Sequence, residues 1–121
     1  MLGRYGETND KESKVRPEEI DFDGVDALVS RFSVFPGVRS VILFGSRARG
    51  DHQERSDIDL AVDAPTMDIV EWDELCLYIN ENSNTLLPID LIWLQQATLQ
   101  LANRIQSEGV VVFERKDESI S

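Results

Sequence analysis

Three aspartates in apolar surroundings are the residues of this chain whose types and spacing best suit chemistry. Asp57 and Asp59 lie two residues apart in the segment DIDLAVD. Side chains alternate between the two faces of a strand, so both carboxylates should project from the same face. Two carboxylates held this close repel each other unless a cation lies between them. We therefore expect a hard divalent cation with oxygen ligands, Mg²⁺ or Mn²⁺, at this face.

The third acid, Asp90, lies inside the apolar segment LLPIDLIWL. Its neighbours Ile89 and Leu91 should point to one face of a strand, and Asp90 to the other. An unpaired acid in such a segment is costly to bury. The metal held by Asp57 and Asp59 is the partner that we expect for Asp90.

A glycine–serine pair, Gly45 and Ser46, follows the nearly continuous apolar segment Val38–Phe44. Glycine lets the backbone turn sharply and approach a ligand closely, and backbone N–H groups at such a turn can bind phosphate oxygens. Arg47 and Arg49 come next, and an arginine beside bound phosphates can hold a triphosphate. These four residues are the predicted nucleotide-binding set, although Arg49 suits ordinary solvent exposure equally well.

The Gly-Ser pair, ten further residues and then Asp57-x-Asp59 resemble the G-S-x10-D-x-D signature of nucleotidyltransferases related to DNA polymerase β. Asp90 stands where that superfamily has its third strand-borne acid. The segment FGSRARGD resembles the corresponding segment of the smallest members, the minimal nucleotidyltransferases, and the resemblance spans residues 38–113. It implies that the three aspartates are catalytic and hold metal, with two Mg²⁺ ions as cofactors and ATP as substrate.

The resemblance also implies a partner. Minimal nucleotidyltransferases are commonly the antitoxin half of a two-protein system whose other half is a helical HEPN ribonuclease toxin. The antitoxin transfers AMP from ATP to a tyrosine of the toxin and silences it. We expect this chain to be such an antitoxin.

Two other functions stay open on the sequence. One is an adenylyltransferase that modifies a small molecule such as an aminoglycoside, whose positive charge would suit an acidic protein. The other is a non-catalytic module that neutralises its partner by masking it. A small catalytic domain would have to borrow its acceptor surface, either from a second copy in a homo-oligomer or from another protein.

The composition narrows the classes of partner. Twelve basic residues against 23 acidic ones give a net charge of −11, which argues against binding to extended nucleic acid and suits a basic protein. No apolar segment is long enough to cross a bilayer and none resembles a signal peptide, so we expect a cytoplasmic protein. The single cysteine, Cys76, excludes an internal disulfide and cannot by itself make a zinc site.

Alternating strands and helices must position these residues, so the predicted fold class is α/β, of the α+β type. The length of 121 residues suits one domain, at residues 17–114 between a flexible polar tail, 1–16, and a frayed tail, 115–121. The family resemblance adds a small mixed sheet with helices packed on one face and the acids on the other. Three helices are expected: one at residues 23–35, one that begins at the capping pair Asp68 and Glu71, and one at residues 96–108. Four strands are expected: one at residues 38–44, one that ends before Pro65, one at residues 86–94, and an edge strand at residues 110–113.

Overall fold

The computed structural model describes residues 25–115 except residues 52, 54 and 84. The two predicted tails therefore lie outside the described residues, apart from Arg115, and so does the predicted start of the first helix. Within the described part of the chain, no helix combines the length and the apolar composition that crossing a membrane requires.

Four strands and four helices make up the described domain. The strands are β1 (Ser40–Phe44), β2 (Ile58–Asp63), β3 (Ile89–Trp93) and β4 (Val110–Glu114). The helices are α1 (Val25–Arg31), α2 (Ser46–Arg49), α3 (Ile69–Asn82) and α4 (Leu99–Glu108), with short 3₁₀ turns at Phe32–Val34 and Leu94–Gln96.

The strands form one mixed sheet in the order β3-β2-β1-β4. β1 is antiparallel to both β2 and β4, whereas β2 and β3 are parallel. A parallel pair needs a long crossover connection, because the chain must return to the same end of the sheet. The helix α3 supplies that crossover. The predicted mixed sheet and the predicted edge strand at residues 110–113 are confirmed.

Local signals explain where several elements begin. Asp68 accepts a hydrogen bond from the N–H of Glu71 at 2.9 Å, and the Glu71 side chain accepts one from the N–H of Asp68 at 3.0 Å. This reciprocal capping box, predicted from the sequence, satisfies two N–H groups at the start of α3. Thr98 caps α4 in a similar way, accepting from the N–H of Leu101 at 3.1 Å. The helix therefore begins at Leu99, a little later than the predicted position 96.

The main core lies between one face of the sheet and the helices α1 and α3, as expected. Trp72 of α3 stacks on Trp93 of the edge strand β3, with ring centroids 5.3 Å apart. The largest fully buried side chains on this side are Leu28, Phe32, Val38, Val41, Leu43, Ile58, Leu60, Val62, Leu75 and Ile79.

The helix α4 differs from the expectation that helices cover one face only. Its buried residue Ile105 packs against Phe44 and Ala61, on the opposite face from the main core. Ala61 is two residues from Asp59 along β2, so both side chains project from that face. This face of the sheet covers the apolar side of α4. The packing brings the C-terminal end of α4 close to Asp59.

Removing the cap of α3 should weaken the fold. We expect Asp68→Ala to lower the free energy of unfolding by about 0.5–2 kcal/mol, because the N–H of Glu71 then loses its acceptor. Urea denaturation of the two proteins measures the difference. Glu74→Ala, an exposed acidic residue in the same helix, is the matched control and should change the value much less. Equal losses in both variants would contradict the capping role.

Candidate active site

Gly45 forms the corner between β1 and α2. Its backbone angles are φ 78° and ψ −156°, a region that is essentially restricted to glycine. The carbonyl oxygen of Gly45 accepts hydrogen bonds from the N–H groups of Ala48 at 3.1 Å and Arg49 at 3.0 Å. The strand therefore passes directly into the short helix, and Ser46 becomes the first helical residue.

The carboxylate of Asp59 lies against this corner. Phe44 pairs with Asp59 across the antiparallel strands β1 and β2, so Gly45, the next residue, comes beside the same acid. A Cβ atom built on Gly45 would overlap Oδ2 of Asp59. The absence of a side chain at residue 45 is thus what lets the predicted phosphate turn approach the predicted catalytic acid.

Asp90 faces Asp59 across the parallel pair β2 and β3, where the two residues are register partners. Asp57 lies just before β2 and is exposed. Burial raises the pKa of Asp59, and the negative charges of Asp90 and Asp57 raise it further, while the positive charge of Arg104 lowers it. The folded environment therefore disfavours the ionised form of Asp59.

Fitting a metal ion to these acids requires some rearrangement. Among residues 25–115, without the three undescribed positions, no group of three histidine, cysteine or acidic side chains is arranged to hold an ion. The donors are nevertheless all carboxylate oxygens, which hard divalent cations prefer. Besides burial, repulsion by Asp90 and Asp57 raises the pKa of Asp59, and a bound cation relieves repulsion of this kind. The chemistry of this donor set therefore suits a divalent cation such as Mg²⁺, although the described geometry does not form a complete site.

Of the other predicted nucleotide-binding residues, Arg47 is directed inward. It is only 6% exposed, and its Nε and Nη2 atoms donate to the carbonyl oxygen of Ser56 at 3.2 and 3.0 Å. Ser56 directly precedes Asp57. These bonds connect α2 to the loop that precedes Asp57.

Arg49 is more open, with 36% of its side chain exposed. Its Nε donates to Asp51 Oδ2 at 3.1 Å, and its Nη1 lies 3.2 and 3.3 Å from the two carboxylate oxygens of Glu108. The hydrogen bonds that Arg49 donates to Asp51 and Glu108 raise the pKa of its guanidinium, so this group stays charged. Arg49 and the N–H of Gly45 share the Glu108 carboxylate as a partner, and the nucleotide-binding role of Arg49 stays a prediction.

Glu108 and Arg104 are residues of this site that the sequence prediction missed. Glu108 Oε2 accepts a hydrogen bond from the N–H of Gly45 at 2.7 Å, and Arg104 Nε lies 3.4 Å from the same oxygen. Glu108 is the last residue of α4, and Arg104 lies one turn before it. Their spacing of four residues signals a helical ion pair, but no motif connects that pair with the turn more than fifty residues earlier.

A comparison with known families decides what this arrangement belongs to. The model of a family described as polymerase beta, nucleotidyltransferase, matches residues 27–118. The chain belongs to this nucleotidyltransferase family. The Gly-Ser corner and the strand-borne aspartates of this nucleotidyltransferase thus occur in the fold that the sequence resemblance implied. No curated protein matches the chain.

Solved toxin–antitoxin structures share the fold of this nucleotidyltransferase. A toxin–antitoxin crystallised with AMP-PNP is 26% identical, with a TM-score of 0.58 over 76% of this chain and 74% of the other. The toxin–antitoxin pair MntA–HepT is 22% identical, with a TM-score of 0.57 over 76% and 71%. A tri-AMPylated Shewanella oneidensis HEPN toxin in complex with an MNT antitoxin is also 22% identical, with a TM-score of 0.52 over 75% and 73%.

The corner at Gly45 yields the first prediction for this site. Gly45→Ala should lower the free energy of unfolding by about 1–3 kcal/mol, because alanine is strained at these backbone angles and its Cβ would displace Asp59. Guanidinium denaturation measures the loss. Gly37→Ala is the control, since a Cβ there meets Met67 Cε at an ordinary 3.4 Å. An unchanged free energy of unfolding in the Gly45 variant would contradict the described backbone geometry at this corner.

The raised pKa of Asp59 yields the second prediction. Because the folded state disfavours the ionised carboxylate, Asp59→Asn should raise the melting temperature of the metal-free protein by a few degrees. The increase in melting temperature should be complete at pH values above the pKa that Asp59 has in the folded protein. It should vanish at pH values below the pKa that Asp59 has in the unfolded chain. Thermal melting in EDTA across this pH range measures it.

Asp73→Asn, a change of the same charge at an exposed position of α3, is the control for this experiment. It should leave the difference between high and low pH nearly unchanged. A melting temperature of Asp59→Asn below that of the unaltered protein at neutral pH would show that the carboxylate stabilises the metal-free fold, contrary to the prediction.

Proposed function

We propose that this nucleotidyltransferase transfers AMP from ATP to a tyrosine hydroxyl of a HEPN-type toxin and so acts as an antitoxin. The observation that carries the proposal is the contact between the corner at Gly45 and the carboxylate of Asp59, with Asp90 opposite. A phosphate turn and paired acids side by side are what transfer of a nucleotidyl group requires.

The nucleotide enters the proposal through the corner and Arg49. Backbone N–H groups at Gly45 and Ser46 would bind the β- and γ-phosphates, and the guanidinium of Arg49 would neutralise part of their charge. Arg47 would act indirectly, by holding the loop that carries Asp57. The similar toxin–antitoxin that was crystallised with AMP-PNP supports an adenine nucleotide as substrate.

The aspartates would carry the reaction itself. Asp57, Asp59 and Asp90 would hold two Mg²⁺ ions, which supply charge neutralisation for the phosphates. Asp90 would accept the proton of the incoming hydroxyl. The hydroxyl oxygen then bonds to the α-phosphorus, the bond between the α-phosphorus and the bridging oxygen breaks, and pyrophosphate leaves.

The acceptor is proposed by analogy with the toxin–antitoxin structures. The toxin of the Shewanella oneidensis complex is tri-AMPylated, which is consistent with a protein acceptor here. The net charge of −11 complements the basic surface that a ribonuclease needs to bind RNA. We place the reaction in the cytoplasm, where ATP and such a toxin would be present together.

A label-transfer experiment tests this function. The chain is co-expressed with a candidate HEPN toxin and incubated with Mg²⁺ and ATP labelled on the α-phosphate, and parallel samples receive ATP labelled on the γ-phosphate. We expect α-label, but not γ-label, on the toxin. The double variant Asp57→Asn, Asp59→Asn should lower the transfer by at least about 100-fold, because the phosphate charge is no longer neutralised.

Asp73→Asn is the matched control and should keep full transfer. Full activity of the double variant would overturn the assigned acids. Binding of ATP without label on any protein would contradict the protein acceptor and would favour a small-molecule acceptor. Inhibition of the toxin by the double variant at full strength would instead favour neutralisation by masking.

A further inference from the structure

The carboxylate of Glu108 occupies the hydrogen-bond donors that the proposed function assigns to phosphate. Its Oε2 accepts from the N–H of Gly45 at 2.7 Å. Both of its oxygens lie within 3.3 Å of Arg49 Nη1. Only 16% of the Glu108 side chain is exposed, so this anion is enclosed by the corner of the site.

A phosphate oxygen cannot share these donors with the carboxylate. The single N–H of Gly45 already has an acceptor at 2.7 Å, and a second anion placed there would be repelled by Glu108. The charge of Glu108 also contributes to the raised pKa of Asp59, so the carboxylate adds negative charge to the acid cluster. A triphosphate must therefore displace it.

The displacement requires only side-chain movement. Glu108 is the last residue of α4, and three side-chain torsions separate its carboxylate from the backbone. Arg104 Nε, on the preceding turn, already lies 3.4 Å from Oε2, and 55% of the Arg104 side chain is exposed. The carboxylate can rotate outward, keep Arg104 as its ion-pair partner, and leave Gly45 and Arg49 to the incoming phosphates.

We propose that Glu108 is a built-in competitor for the polyphosphate part of the nucleotide. In the nucleotide-free protein it satisfies the N–H of Gly45 and the charge of Arg49. When ATP binds, the Glu108 carboxylate loses its contacts with Gly45 and Arg49, and this loss weakens the apparent affinity for ATP. When pyrophosphate leaves, the carboxylate returns to these contacts. This inference rests on the proposed function, because it assumes that Gly45 and Arg49 bind phosphate. Glu108 is then a positioning residue that sets affinity without touching the reacting atoms.

Binding and kinetics of two Glu108 variants test the proposal. Glu108→Gln keeps the size of the side chain and removes its charge, whereas Glu108→Ala removes the acceptor altogether. We expect both variants to bind ATP, and separately pyrophosphate, about 3- to 10-fold more tightly than the unaltered chain in calorimetry with Mg²⁺. The KM for ATP should fall by a similar factor. Glu81→Gln, an exposed acid of α3, is the matched control and should leave the affinity unchanged.

The outcomes separate this inference from the proposed function. If Glu108 merely held the corner in shape, both variants would bind ATP and pyrophosphate more weakly and would melt at lower temperature, and the inference would be overturned. An unchanged affinity of both variants for ATP and pyrophosphate would overturn the inference as well. Label transfer by the unaltered chain would in that case still support the proposed function. Absence of both ATP binding and label transfer in the unaltered chain would remove the proposed function and, with it, the competitor role.

Discussion

The close approach of Gly45 to Asp59 is the contact on which the rest of the site depends. The antiparallel pairing of Phe44 with Asp59 brings the end of β1 to the acid. Only a residue without a Cβ can then turn away at that point, since the carboxylate fills the space that a side chain would take. One backbone position thus fixes both where the strand ends and how near a bound phosphate would come to the acids.

Opposing charges are concentrated around this contact without being balanced. Asp57 and Asp90 are close enough to raise the pKa of Asp59. Glu108 forms ion pairs with Arg49 and Arg104 beside Gly45. A fold selected only for stability would not place carboxyl groups opposite each other on neighbouring strands. The unfavourable charge at Asp59 is consistent with the proposed binding of a cation at this site, since perturbed titratable groups are frequent at functional sites.

Much of the fold follows from local patterns, and the site follows only in part. The β-branched segment before Gly45, the capping pair Asp68 and Glu71 and the strand after Gly109 all carry signals within a few residues, and the predicted mixed sheet is confirmed. The face that α4 covers was not predictable, because helical periodicity shows that a helix has an apolar side and not which surface receives it. Glu108 reaches Gly45 as a consequence of that packing.

The roles of the predicted site residues stay predictions, but the structure shows that these residues lie in different environments. Arg47, which sequence position alone associates with phosphate, is buried against the carbonyl of Ser56. Burial of a guanidinium depends on the path of a loop, and no local signal in the sequence reports that path.

The pairing of β4 with β1 has a consequence for how the chain folds. Leu43 pairs with Val110, across most of the described domain, so β4 leaves the ribosome after the other three strands. Until it does, the apolar strand β1 has an open edge, and open edges of this kind pair with strands of other molecules. Contacts so distant in sequence also form slowly. Aggregation of the nascent protein should therefore depend on the interval between completion of β1 and arrival of β4.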